Sequence, residues 1–150
     1  MKTLILGLGN PLMRDDGAGL IVARRLYERL ADGETDLVEA AIAGLQTIPL
    51  LAGYDRAIII DAICNGRSVG DVYRFEGEDL HGHPCQVTHG TGLASALEWA
   101  RGARFEMPRQ LTVFAMAVAD ADNFGESLTP EVEKAIPAVV DMIAEDLKLH

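Results

Sequence analysis

The chain has 150 residues, 49% of them apolar, and a formal charge of −10 from 13 basic and 23 acidic side chains, which fits one domain over residues 1–150 with a real core and argues against nucleic acid as a partner, because such binding rests on phosphate neutralisation. Two cysteines, Cys64 and Cys85, are too few for a disulfide framework. No apolar run approaches membrane-spanning length and Met1-Lys2 leads into the first strand without a signal-peptide pattern, so the expectation is a soluble, cytoplasmic monomer with no membrane partner.

Leu4 to Leu8 is an apolar run that ends in Gly9-Asn10-Pro11, and a helical pattern begins at Asp16, so the segment reads as strand, tight turn and helix start. The first helix is predicted over 16–31, with Val22, Leu26 and Leu30 on its buried side and Arg24, Arg25 and Glu28 facing water. Asp32-Gly33 ends it. Thr35 to Ala40 reads as a second strand, and Gly44 to Leu51 as a helical piece in which Pro49 must occupy a first turn or break it. Ala57 to Ala62 is an unbroken β-branched run, as expected of a strand covered on both faces, with Asp61 its first charge at the carboxyl end. Asp71 to Glu76 alternates and predicts an antiparallel strand reached through a turn at Asn65-Gly66. Residues 76–90 carry Gly77, Gly82, Pro84 and Gly90 without a period and read as a long loop. A helix follows over 91–101, with Leu93, Leu97 and Trp99 available for packing, and Leu111 to Val118 is the last strand. Thr129-Pro130-Glu131 is a helix start with threonine as cap. Val132, Ile136, Val139, Ile143 and Leu147 line one face of that final helix, and Pro137 is expected to kink it. This alternation predicts an α/β fold, a three-layer α/β/α sandwich with a mostly parallel sheet.

A Gly-x-Gly turn after a first strand begins the dinucleotide fingerprint, but Leu12 stands where the third glycine or alanine belongs. Two acids, Asp15 and Asp16, would also repel a pyrophosphate at a helix entrance. Hydrolase signatures are missing too: the sequence has no Gly-x-Ser-x-Gly elbow, no His-Glu-x-x-His helix and no Walker loop. What remains is a constellation of Asp16 after strand one, Asp61 at the end of strand three and His89 before the third helix. In a parallel sheet all three project into one crevice at the carboxyl edge. Two carboxylates and an imidazole form an O,O,N donor set with open positions, which suits Ni²⁺ or Zn²⁺. Each residue also has a plainer reading: Asp16 as a helix cap, Asp61 as a turn cap, His89 as a surface histidine. A competing cluster, His81, His83 and Cys85 with His89, has spacings unlike known structural zinc motifs. Cys64 and Cys85 otherwise read as small, semi-buried residues without special reactivity.

Three segments together, Gly7 to Gly19 (Gly-Leu-Gly-Asn-Pro-Leu-Met-Arg-Asp-Asp-Gly-Ala-Gly), Ile60-Asp61-Ala62 and Thr88-His89-Gly90, resemble the signatures of the hydrogenase maturation endopeptidases. The resemblance implies a five-stranded mixed sheet with one antiparallel strand, matching Val72 to Phe75. It implies an endopeptidase that removes a C-terminal extension from the [NiFe]-hydrogenase large-subunit precursor after nickel insertion. It also implies metal contact, and with it the catalytic role, through Asp16, Asp61 and His89. The nickel would be supplied by the precursor, with zinc or cadmium able to occupy the site. One departure is the end of the last strand, Ala115 to Asp120 (Ala-Met-Ala-Val-Ala-Asp), where the family often carries a glycine, and this bears on which precursor is served. Peptidyl-tRNA hydrolases open with the same Gly-Leu-Gly-Asn-Pro, but the region Leu12 to Gly19 lacks the histidine they carry there. A non-catalytic nickel-binding escort protein using the same three residues is the remaining alternative.

Overall fold

A computed structural model describes residues 1–30, 32–41, 44–64, 66–76 and 93–149. Strands β1 (Thr3–Leu8), β2 (Thr35–Ala40), β3 (Arg56–Ile63), β4 (Val72–Glu76) and β5 (Gln110–Ala117) form one five-stranded sheet in the order β2-β1-β3-β5-β4. All neighbours are parallel except β4, which runs antiparallel to β5. The sandwich and the single antiparallel strand follow the expectation. The reversal after β3 delivers the chain past β5 to the edge, so β4 pairs with β5 and not with the strand before it.

Helices α1 (Ala18–Leu30) and α4 (Pro130–Leu149) cover one face; α2 (Ile48–Leu51) and α3 (Leu93–Gly102) cover the other. Strand alternation sorts the side chains into two cores. Ile58, Ile60 and Ala62 of β3 join Val22, Leu26, Ile136, Val139 and Ile143 on the first face, and Ala57, Ile59 and Ile63 join Leu51, Leu93 and Leu97 on the second. A side chain of this kind contributes about 1.5–3 kcal/mol when fully buried, so both faces of the central strand hold the layers together.

Several boundaries differ from the sequence reading. Asp16, the predicted start of the first helix, lies in a 3-10 turn (Arg14–Gly17), and α1 proper begins at Ala18. Pro49 lies in the first turn of α2, where its missing amide costs nothing. Pro137 lies within α4, which stays helical from Pro130 to Leu149, and its side chain is exposed, so the carbonyl it leaves without an amide partner can meet water. Trp99 is exposed and packs at a tilt against Phe105 with ring centroids 5.3 Å apart, because the buried stripe of α3 runs through Leu93, Ala96, Leu97 and Ala100 at helical spacing and passes it by. The predicted loop over 76–90 extends outside the described residues, as does Asn65 of the predicted turn.

Candidate active site

The strand order places a topological switch point between β1 and β3: the connection after β1 returns through α1 on one face, and the connection after β2 returns through α2 on the other. A crevice opens at such a point beyond the carboxyl ends of the strands. The β1–β3 ladder ends at Gly7 and Ile60, whereas the β3–β5 ladder continues to Ile63 and Ala117. Asp61 is therefore the first residue of β3 past the end of the β1 ladder, inside a strand that extends beyond the predicted end. Alternation turns it toward the face covered by α2 and α3.

The glycines of the opening motif work by close approach. A Cβ on Gly9 would sit 2.1 Å from the Asp16 carbonyl oxygen, so only glycine lets the 3-10 turn fold back over the end of β1. A Cβ on Gly19 would lie 2.8 Å from the Leu8 carbonyl oxygen and 2.9 Å from that of Ile60. The first turn of α1 thus rests directly on the ends of both strands that flank the crevice. Gly19→Ala is expected to lower stability by about 1–3 kcal/mol in thermal or urea unfolding, because backbone atoms on both sides block the methyl.

The two acids of the motif diverge. In a 3-10 turn successive side chains point about 120° apart, and Asp15 and Asp16 serve different neighbours. Asp15 is 0% exposed, and its carboxylate accepts the amides of Ala119 (3.2 Å), Asp120 (2.8 Å) and Thr129 (2.8 Å) and the Thr129 hydroxyl (2.9 Å). Its own amide donates to the Asp120 carbonyl at 2.9 Å. Asp15 thereby pins the turn after β1 to the end of β5 and the start of α4, where a negative charge also faces the positive end of the helix dipole. Thr129 occupies the cap position, its carbonyl accepting the Glu133 amide at 3.0 Å, while its hydroxyl is given to Asp15. The sequence reading missed this role, and the only local signal for it is the adjacency of two acids in a tight turn.

Asp16 is 4% exposed and accepts the Asn10 amide at 2.8 Å, closing the loop on itself upstream of α1. Asp61 is 0% exposed and accepts the Ala62 amide at 2.8 Å. The turn carrying Asp16 packs on β3, so the structure brings the two carboxylates to adjacent strand ends. His89, the third expected donor, lies outside the described residues, as do His81, His83 and Cys85 of the competing cluster. Among the described residues no three His, Cys, Asp or Glu side chains cluster to hold an ion. Cys64, expected to be semi-buried, is exposed at the end of β3, with its thiol directed to the Ala119 carbonyl at 3.6 Å. An apolar groove of about 510 Å³ lined by Val72, Phe114, Met142 and Ile143 lies between β4 and α4, at the β4 edge of the sheet. No helix among the described residues is long and apolar enough to cross a membrane.

A family model for the hydrogenase maturation protease HycI matches residues 20–146. The chain belongs to this family. Similar proteins include the hydrogenase 2 maturation protease of Escherichia coli strain K12, 26% identical over 99% of this chain and 92% of that one. The [NiFe] hydrogenase maturation protease HybD from Thermococcus kodakarensis is 30% identical, with a TM-score of 0.74 over 98% of this chain and 99% of that one. The hydrogenase maturating endopeptidase HybD from E. coli shares the fold at a TM-score of 0.79, covering 99% of this chain and 93% of that one at 24% identity. This maturation protease is accordingly a peptidase.

Proposed function

We propose that this protease removes the C-terminal extension of a [NiFe]-hydrogenase large-subunit precursor, and that Asp16, Asp61 and His89 recognise the nickel the precursor already carries. The observation that carries the reading is the pair of buried carboxylates on adjacent strand ends at the switch point, one on the turn after β1 and one on β3. An acid is seldom fully buried without donors or a cation to meet it. Asp15 is taken up by the clamp to β5 and α4, whereas Asp16 and Asp61 stand at the carboxyl ends of neighbouring strands, the edge at which a cation can be presented. Two features support His89 as the third donor. It stands four residues before Leu93, the first residue of α3, and α3 covers the face of the sheet to which Asp61 alternates. Carboxylate oxygen and imidazole nitrogen are donors that nickel accepts alongside thiolates.

In this reading Asp16 and Asp61 hold their oxygens in place through the Asn10 and Ala62 amides, so little reorganisation is needed when the metal arrives. A nickel ion bound between the precursor and these residues supplies Lewis-acid polarisation at the scissile peptide. The chain contributes the position: docking through three side chains fixes the scissile bond at the crevice and reads whether the metal has been inserted. The test is to incubate the purified protease with nickel-loaded precursor and follow the precursor's mass. One shortened product is expected. Binding without any cleavage would replace the protease reading with that of an escort protein.

A further inference from the structure

The turn after β1 is joined to the loop between β5 and α4 by a short parallel bridge, Met13 opposite Gly125. The Gly125 amide donates to the Leu12 carbonyl at 2.9 Å and the Arg14 amide donates to the Gly125 carbonyl at 2.8 Å. Leu12 and Phe124, the residues just before the bridged pair, are thereby held at neighbouring positions across the bridge. Both are apolar and open to solvent: Phe124 is 86% exposed and Leu12 is 53% exposed.

The backbone beneath them is held firmly. Asp120 accepts the amides of Asp122 and Asn123, both at 3.2 Å, and the Asn123 side-chain amide at 2.9 Å, and it pairs with Arg14 at 3.5 Å. These groups, the Asn123 side chain foremost, hold the Asp120 carboxyl below the usual carboxylate range. Arg14 adopts a positive φ of 49° and lays its side chain over Gly125, where a Cβ would meet Arg14 Cγ at 2.8 Å. A non-glycine residue in that conformation carries strain that surrounding contacts must hold. A large aromatic side chain displayed in water on such a braced loop has already met much of the ordering cost of binding.

The geometry points to Leu12 and Phe124 as a docking anchor for the folded body of the hydrogenase precursor, seating in an apolar socket with basic groups around it. This rests on the function proposed above and names the surface that holds the substrate. Two observations select that occupant. The anchor is continuous with the crevice, because Leu12 lies four residues before Asp16 and the loop carrying Phe124 is bound at its base by Asp15. The exposed charges nearest in sequence, Asp122 and Glu126, are acidic, while the adjacent cation, Arg14, is engaged with Asp120, so the rim complements a basic partner.

The experiment compares KM and kcat on nickel-loaded precursor for the wild type, Phe124→Ser, Phe124→Trp and Phe105→Ser. Phe105 is an exposed aromatic packed on Trp99 of α3, outside the anchor, and its replacement controls for a general loss of surface apolarity. Phe124→Ser is expected to raise KM about 10-fold or more, the effect of losing one buried aromatic contact, with kcat and the thermal midpoint unchanged. Phe124→Trp is expected to keep the wild-type KM, as is Phe105→Ser. A KM for Phe124→Ser within twofold of wild type, with cleavage intact, would overturn the anchor and leave the proposed function standing. A wild type that neither binds nor cuts the precursor would overturn both.

Discussion

Asp61→Asn and Asp16→Asn are each expected to reduce cleavage of nickel-loaded precursor by about 10²-fold or more while leaving the protein folded. The amide is close to isosteric and keeps one oxygen to accept the Ala62 or Asn10 amide, so the local hydrogen bond survives. What is lost is the anionic donor, and a Lewis-acid interaction worth several kcal/mol corresponds to at least two orders of magnitude in rate. Far-UV circular dichroism and thermal unfolding check that the fold is kept, and a quantitative processing assay reads the loss. Activity within tenfold of wild type for either variant would remove that residue from the site.

Asp15→Ala is expected to act through stability first. The substitution strands the amides of Ala119, Asp120 and Thr129 in a region where an unsatisfied buried donor costs about 1–3 kcal/mol. A total loss of about 3 kcal/mol or more is expected, lowering the thermal midpoint by about 6–12 °C for a chain of this size. Thr129→Val, which removes only the hydroxyl contact, should cost nearer 1 kcal/mol. Because Asp15 also fixes the turn that carries Asp16, the alanine variant should lose activity even at temperatures where it remains folded. Equal unfolding midpoints for wild type and Asp15→Ala would show that the clamp contributes nothing.

The difference between these two neighbouring acids marks where sequence reasoning reaches its limit. Strand β2 was legible to the residue, its start following the Asp32-Gly33 turn, and the apolar stripe of α4 followed from helical spacing alone. The end of β3 was not, because Ile63 is in the strand only through its pairing with Ala117 of β5, a partner far away in sequence. The start of α1 was set by crowding: the chain must close over Gly9, and a 3-10 turn achieves this before the helix begins. Asp16 and Asp61 could be placed at one edge because a parallel sheet sends every strand end to the same side. Asp15 could not be assigned its partners, since three of its four donors belong to backbone amides more than a hundred residues away, and a backbone amide leaves no mark on the sequence. Leu12 and Phe124 were equally hidden, as their adjacency depends on the bridge between Met13 and Gly125.

The most direct measurement compares matched samples of precursor, one loaded with nickel and one rigorously nickel-free, at rising concentrations of the protease. If Asp16, Asp61 and His89 act by recognising the precursor's metal, the loaded chain is shortened and the nickel-free chain stays intact at every enzyme concentration. Efficient cutting of the nickel-free chain would contradict the account, because the protease would then hold complete catalytic machinery without the ion these three residues are proposed to read.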